Sequence, residues 1–203
     1  MAVGVVRNIV LFIFILATLK TAKGESYICS IKVGGIKIGT LNASHLKINN
    51  IDYYSIVSRV EINLMMKIKV HYTTLSSYKD NKLMESTVVS LINGKRYQSK
   101  TLWNGNKYLI NCSTYKYSYS DSSRTSPIYW SVSKLYFEKP RANSEVFAET
   151  YGKINVLTEL NPNQFKFEIP KSKQIYKYDK NNSIESVEMI NLIKNFEVIK
   201  HSK

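Results

Sequence analysis

The chain has 203 residues, 29 Lys and Arg against 15 Asp and Glu, and a formal net charge of +14. Such a balance usually signals a polyanionic partner, yet lysine far outnumbers arginine and no run of five basic residues occurs, so the charge reads as solvated strand faces and nucleic acid is not expected as a partner. Two cysteines and three histidines, none clustered, supply neither a zinc-type metal site nor the base of a hydrolytic triad.

Residues 1–24 read as a cleavable secretory signal. A short start bearing Arg7 precedes an apolar run from Ile9 to about Leu19, too short for the roughly 20 residues that span a bilayer. Small residues at Ala22 and Gly24 place the cut after Gly24. Removal leaves 179 residues, takes away Arg7, Lys20 and Lys23, and lowers the charge to +11. No later segment is long and apolar enough for a transmembrane helix, and Ser26-Tyr27-Ile28 before Cys29 does not suit lipid attachment. The expectation is one exported domain over 25–203, periplasmic or secreted, or peripheral to an outer membrane. In an oxidising compartment a Cys29–Cys112 disulfide becomes reasonable, since both cysteines share a face with apolar neighbours in alternating segments.

Period-2 alternation dominates the chain after the signal. Gly34-Gly35 marks either a tight hairpin or a bulge. Residues 56–64 alternate apolar and polar, and the pattern resumes over 67–72. Turn signals at Lys79-Asp80-Asn81-Lys82, Asn93-Gly94 and Asn104-Gly105 then separate strands over 83–92, 95–103 and 107–112. Nothing between them has room for a crossover helix, so they form an antiparallel meander. Residues 115–127 lack apolar periodicity and read as a loop; 131–137 fit either a short helix or another strand, a helical turn ended by Pro140 being the favoured reading. Strands return over 154–160, 165–169, 175–178 and 184–189, and 196–199 is placed to come back and close the sheet. The fold class expected is all-β: about ten antiparallel strands in a strongly curved sheet or incomplete barrel, with one short helical turn.

Four groups of residues occur in order: Gly34-Gly35-Ile36-Lys37-Ile38-Gly39-Thr40-Leu41, Asn93-Gly94-Lys95, Leu135-Tyr136-Phe137-Glu138-Lys139-Pro140 and Val146-Phe147-Ala148-Glu149-Thr150-Tyr151-Gly152. Together they resemble an uncharacterised family of exported β-proteins, a domain of unknown function from Bacteroidetes-type bacteria, over nearly all of the mature chain. The resemblance implies a β fold and a Gram-negative envelope. It brings no activity or catalytic residue.

Chemistry is sparse. His201 lies in the tail, and His45 and His71 read as solvated; no nucleophile elbow or His-Glu-x-x-His pattern occurs, Asp80, Asp121 and Asp179 stand alone, and neither a metal nor a cofactor is expected. Glu138 and Glu149, with Glu145 near, form the one carboxylate pair a glycan hydrolase would use. Tyrosines such as Tyr72, Tyr136 and Tyr151 pack well on strands, and they would also fringe an apolar cavity in a curved sheet. The leading expectation is a non-enzymatic envelope protein binding a lipid, another hydrophobic ligand or an envelope protein; the rivals are a glycan hydrolase and a structural or assembly protein.

Overall fold

A computed structural model describes residues 23–63, 67–115, 117–170, 172–191 and 195–201. Of the expected signal, residues 1–22 lie outside these; Lys23 and Gly24 open the first strand, opposite Lys47 and Leu46. The strands in chain order are β1 (Lys23–Val33), β2 (Ile36–Ile48), β3 (Ile51–Asn63), β4 (Lys67–Lys79), β5 (Lys82–Ile92), β6 (Lys95–Trp103), β7 (Tyr108–Thr114) and β8 (Tyr117–Asp121). After one helical turn, α1 (Val132–Leu135), come β9 (Glu145–Ala148), β10 (Lys153–Val156), β11 (Thr158–Asn161), β12 (Gln164–Ile169), β13 (Ser172–Tyr178), β14 (Ile184–Asn191) and β15 (Phe196–Lys200).

Thirteen of these strands make one antiparallel sheet in the order β11-β12-β13-β14-β15-β1-β2-β3-β4-β5-β6-β7-β8, so the expectation of about ten falls short. Among the described residues, β9 and β10 stand apart as a two-stranded pair. The first and last strands are neighbours in mid-sheet, with Cys29 opposite Lys200 and Ile31 opposite Val198. The sheet's two ends are therefore β8 and β11, and the chain between them, 122–157, is the one long excursion from the meander.

The turns explain the regularity. Gly34-Gly35, Asn49-Asn50, Asp80-Asn81 and Asn93-Gly94 all have positive φ at both residues, the backbone that two-residue hairpins need to match the strands' twist. Gly34-Gly35 is thus a hairpin; the register shift in that region falls at Ile31/Lys32 instead. Residues 117–121, expected as loop, form β8: Tyr117 and Tyr119 are half-buried on one side while Ser118 and Ser120 are exposed on the other, so the alternation is aromatic against hydroxyl and carries no aliphatic signal. The stretch 154–160 divides at the fully buried Leu157 into β10 and β11, which belong to different sheets.

Inward-facing residues from both flanks pack on 122–157. One core cluster joins Tyr27, Leu41 and Ile56 of β1–β3 and Phe167, Tyr176 and Val187 of β12–β14 to Leu135, Tyr136, Val146 and Ala148. A second joins Tyr54, Tyr78, Leu83 and Tyr108 to Ile128 and Phe147. The sheet therefore curls around its own insertion, a plug held by apolar burial.

Candidate functional site

The plug is anchored at specific points. Leu83 N–H donates to the Ile128 carbonyl at 2.9 Å and Tyr108 N–H to that of Arg124 at 2.8 Å. Tyr27, Tyr178 and Tyr117 donate their hydroxyls to the carbonyls of Tyr136, Leu135 and Tyr151. Tyrosines on the curved wall thus satisfy backbone oxygens that lie in the helical turn and the hairpin turn of the plug, outside its short β9–β10 ladder. Glu149 does the same for donors: with 3% exposure, its carboxylate accepts N–H bonds from Val132 and Ser133 at 2.9 Å each, and a longer bond from the Ser76 hydroxyl at 3.4 Å.

The two glutamates consequently stand in different surroundings. Glu149 is walled in, both oxygens taken by the start of α1. Glu138 is 43% exposed, accepts the Tyr54 hydroxyl at 2.5 Å and lies 3.5 Å from Lys134 Nζ. They do not open onto the same solvent. Glu145 pairs with Arg124 at 3.4 Å. The sequence also hides Lys134, whose side chain is 4% exposed: it bonds Asn81 Oδ1, and sits 4.8 Å over the Trp130 ring and 5.1 Å over that of Tyr78. Burial lowers its pKa, with Glu138 opposing.

His45 is not a simple solvated side chain. It stacks on Tyr54 at 4.5 Å, and Nε2 lies 2.8 Å from Asp52 Oδ1. Burial of Asp52 opposes its ionisation, but the hydrogen bonds from His45 and Lys47 outweigh this and hold its pKa below the ordinary value. His201 Nε2 lies 2.7 Å from Ser30 Oγ, so the tail is tied to β1.

The expected disulfide is absent: Cys29 and Cys112 are both buried free thiols. They lie in different core clusters with the plug against each. Cys112 Sγ faces the Glu149 carbonyl at 3.8 Å, and Gly152 packs so closely that a Cβ there would stand 2.8 Å from the sulfur. Sharing the inner face of one curved sheet did not make the two cysteines neighbours. Burial raises both thiol pKa values, that of Cys29 to about 11 despite the charge of Lys200.

The three tyrosines divide. Tyr136 is core, 3% exposed and edge-on to Tyr176. Tyr72 and Tyr151 are half-buried; the Tyr72 hydroxyl meets Thr150, and burial pushes its pKa up to about 12 despite hydrogen bonds from Thr150 and Thr74. They stand where the plug ends inside the curl. Beyond it, towards the Gly34-Gly35 and Asn93-Gly94 turns, inward-facing side chains are only half-buried: Val60, Val70 and Ile92 in one cross-strand row, Met189 opposite Phe196 in another, with Ile38 and Ile169. At the other end the equivalent rows are closed, with Tyr78, Leu83 and Tyr108 at 0–1% exposure. Among the described residues, the inward-facing apolar rows of the curled sheet are thus fully buried at one end and half-buried at the other.

Residues 30–200 match the model of a family described as domain of unknown function DUF6134, and the chain belongs to that family. No curated protein sequence matches it. Among solved structures it is similar to a β-barrel-like protein of domain of unknown function DUF1849 from Brucella abortus, with a TM-score of 0.50 at 9% identity, covering 87% of this chain and 95% of that one. At that identity the likeness concerns the fold alone.

Proposed function

We propose that this DUF6134 protein is a non-enzymatic binding protein of the cell envelope that takes an apolar chain or ring system into the mouth of its curled sheet. One observation carries the reading: the gradient from a fully packed plug to a rim of half-buried Val60, Ile92, Ile169, Met189 and Phe196 along the same inward-facing rows. A core with no binding role gains stability by burying such side chains, and apolar area left half-covered in a concavity is what hydrophobic ligands use. Tyr72 and Tyr151 at its floor add polar atoms beside the apolar wall, as suits an amphiphile.

Export through residues 1–24 and a single mature domain over 25–203 are part of the proposal. The apolar run and the small residues before Glu25 support them, and N-terminal sequencing of the protein from its own cells should begin at Glu25. An assembly role through sheet pairing has less behind it, because the edge strands β11 and β8 have only four and five residues.

The test is saturable fluorescence enhancement of 1-anilinonaphthalene-8-sulfonate by the folded protein. Val60→Asp puts a charge into the mouth and should abolish it, while Leu109→Ser on the outer face should leave it unchanged, both variants keeping the wild-type near-ultraviolet circular dichroism. No saturable enhancement, or full enhancement in Val60→Asp, would overturn the mouth as a binding site.

A further inference from the structure

Beside the Asp80-Asn81 turn, at the end away from the mouth, lies a second concavity of about 600 Å³. Its walls include Asn81, Arg124, Tyr129, Trp130, Arg141 and Glu145. Only five arginines occur in the whole chain against 24 lysines, yet two of the five meet here. Lysine-rich composition explains scattered lysines; it does not explain arginines converging on one hollow.

The donors point one way. Arg124 is held by its carbonyl's bond from Tyr108, and one terminal nitrogen reaches Glu145 at 3.4 Å, while its Nε–H is buried with no acceptor among the described residues. A guanidinium has five donors, so this one is under-satisfied. Arg141 is exposed and has no ion-pair partner among the described residues. Lys134 approaches Asn81 on its Oδ1, which leaves the amide NH₂ as a donor with no acceptor among the described residues. Against two arginines stands one carboxylate, Glu145, and Lys134 beneath is matched by Glu138. The hollow is net cationic, rich in donors and poor in acceptors. Tyr129, half exposed, and Trp130 give it flat aromatic walls.

We propose that this hollow binds a small organic anion, a carboxylate or phosphate on a ring-sized body, with Arg124 and Arg141 holding the charge and Tyr129 and Trp130 the ring. Arginine suits the task because its planar fork pairs bidentately with carboxylate and phosphate, while the aromatic rings offer apolar faces for the uncharged body of the ligand. The site owes nothing to the apolar mouth and stands or falls separately.

The chain's two tryptophans, Trp103 and Trp130, give two indole N–H signals in a ¹⁵N-labelled sample, assigned with Trp103→Phe. D-glucuronate, inorganic phosphate and D-glucose are titrated in turn. The Trp130 signal should move saturably with an anion, with a dissociation constant on the order of 1 mM, and not with glucose. Response to glucuronate alone assigns a carboxylate, and to phosphate alone a phosphate. Arg141→Glu, on an exposed side chain, should keep the native spectrum and weaken binding at least about tenfold. A static Trp130 signal with both anions, equal movement with glucose, or unchanged affinity in Arg141→Glu would overturn the proposal.

Discussion

Glu149 concentrates the polar logic of the interior into one side chain. A buried carboxylate is costly unless its oxygens are met, and here two backbone N–H groups at the start of α1 meet them. Glu149→Gln keeps the shape but turns an NH₂ towards an N–H, so one donor loses its acceptor and the charge-assisted bonds are lost. The expected cost is about 2–3 kcal/mol, read as a lower urea midpoint at unchanged slope. A change within about 0.5 kcal/mol would mean that α1 is held by its apolar contacts alone. The sequence marks Glu149 as notable for a different reason, as a glutamate eleven residues from Glu138 that reads as half of a carboxylate pair. Lys134 gives no warning at all, since its burial depends on Tyr78 of β4 and Trp130 of the plug meeting around it. Side-chain roles here are set by what the plug touches, and periodicity does not report that.

At the level of elements, the meander is largely readable because alternation and Asn-Gly or Asp-Asn turns are local signals with direct backbone causes. The β9–β10 hairpin is not: β9 is buried along three of its four residues and β10 is half-buried, so neither shows a polar face. The hairpin's fit rests on Gly152, at φ +66°, where a Cβ would stand 2.6 Å from Ile110 Cγ2 and 2.8 Å from Cys112 Sγ. Gly152→Ala combines left-handed strain with overpacking and should cost about 2–4 kcal/mol. Gly94→Ala provides the comparison. Its φ is +83° with no atom near the added methyl, so only about 1 kcal/mol of backbone strain is expected. Equal losses in chemical denaturation would show that conformation and not the tight seat of the plug decides the cost.

Across the whole molecule, the pairing of β15 with β1 makes the sheet continuous through the two chain ends, so the return of 196–199 expected from sequence joins the halves in mid-sheet and does not seal an edge. Which end of the curl is stopped is beyond sequence reading, because it depends on where 122–157 settles inside. The same wrapped geometry governs the response to alkali. Burial opposes ionisation of Tyr27, Tyr54, Tyr136 and Tyr178, raising each above the ordinary 10.0, and lifts Tyr72 to about 12 and Cys29 from 9.0 to about 11. Between those ordinary values and the raised ones the folded chain holds more protons than the unfolded chain, so stability must fall as pH rises. The contribution is intact below about pH 9 and is lost progressively from there through pH 12 and above. Tyrosinate absorbance at 295 nm should therefore show a rise that coincides with the collapse of far-ultraviolet circular dichroism, as the plug-contacting set ionises. One smooth step near pH 10 with the sheet signal intact would mean that water reaches these hydroxyls, and that the plug is not the tight stopper its hydrogen bonds describe.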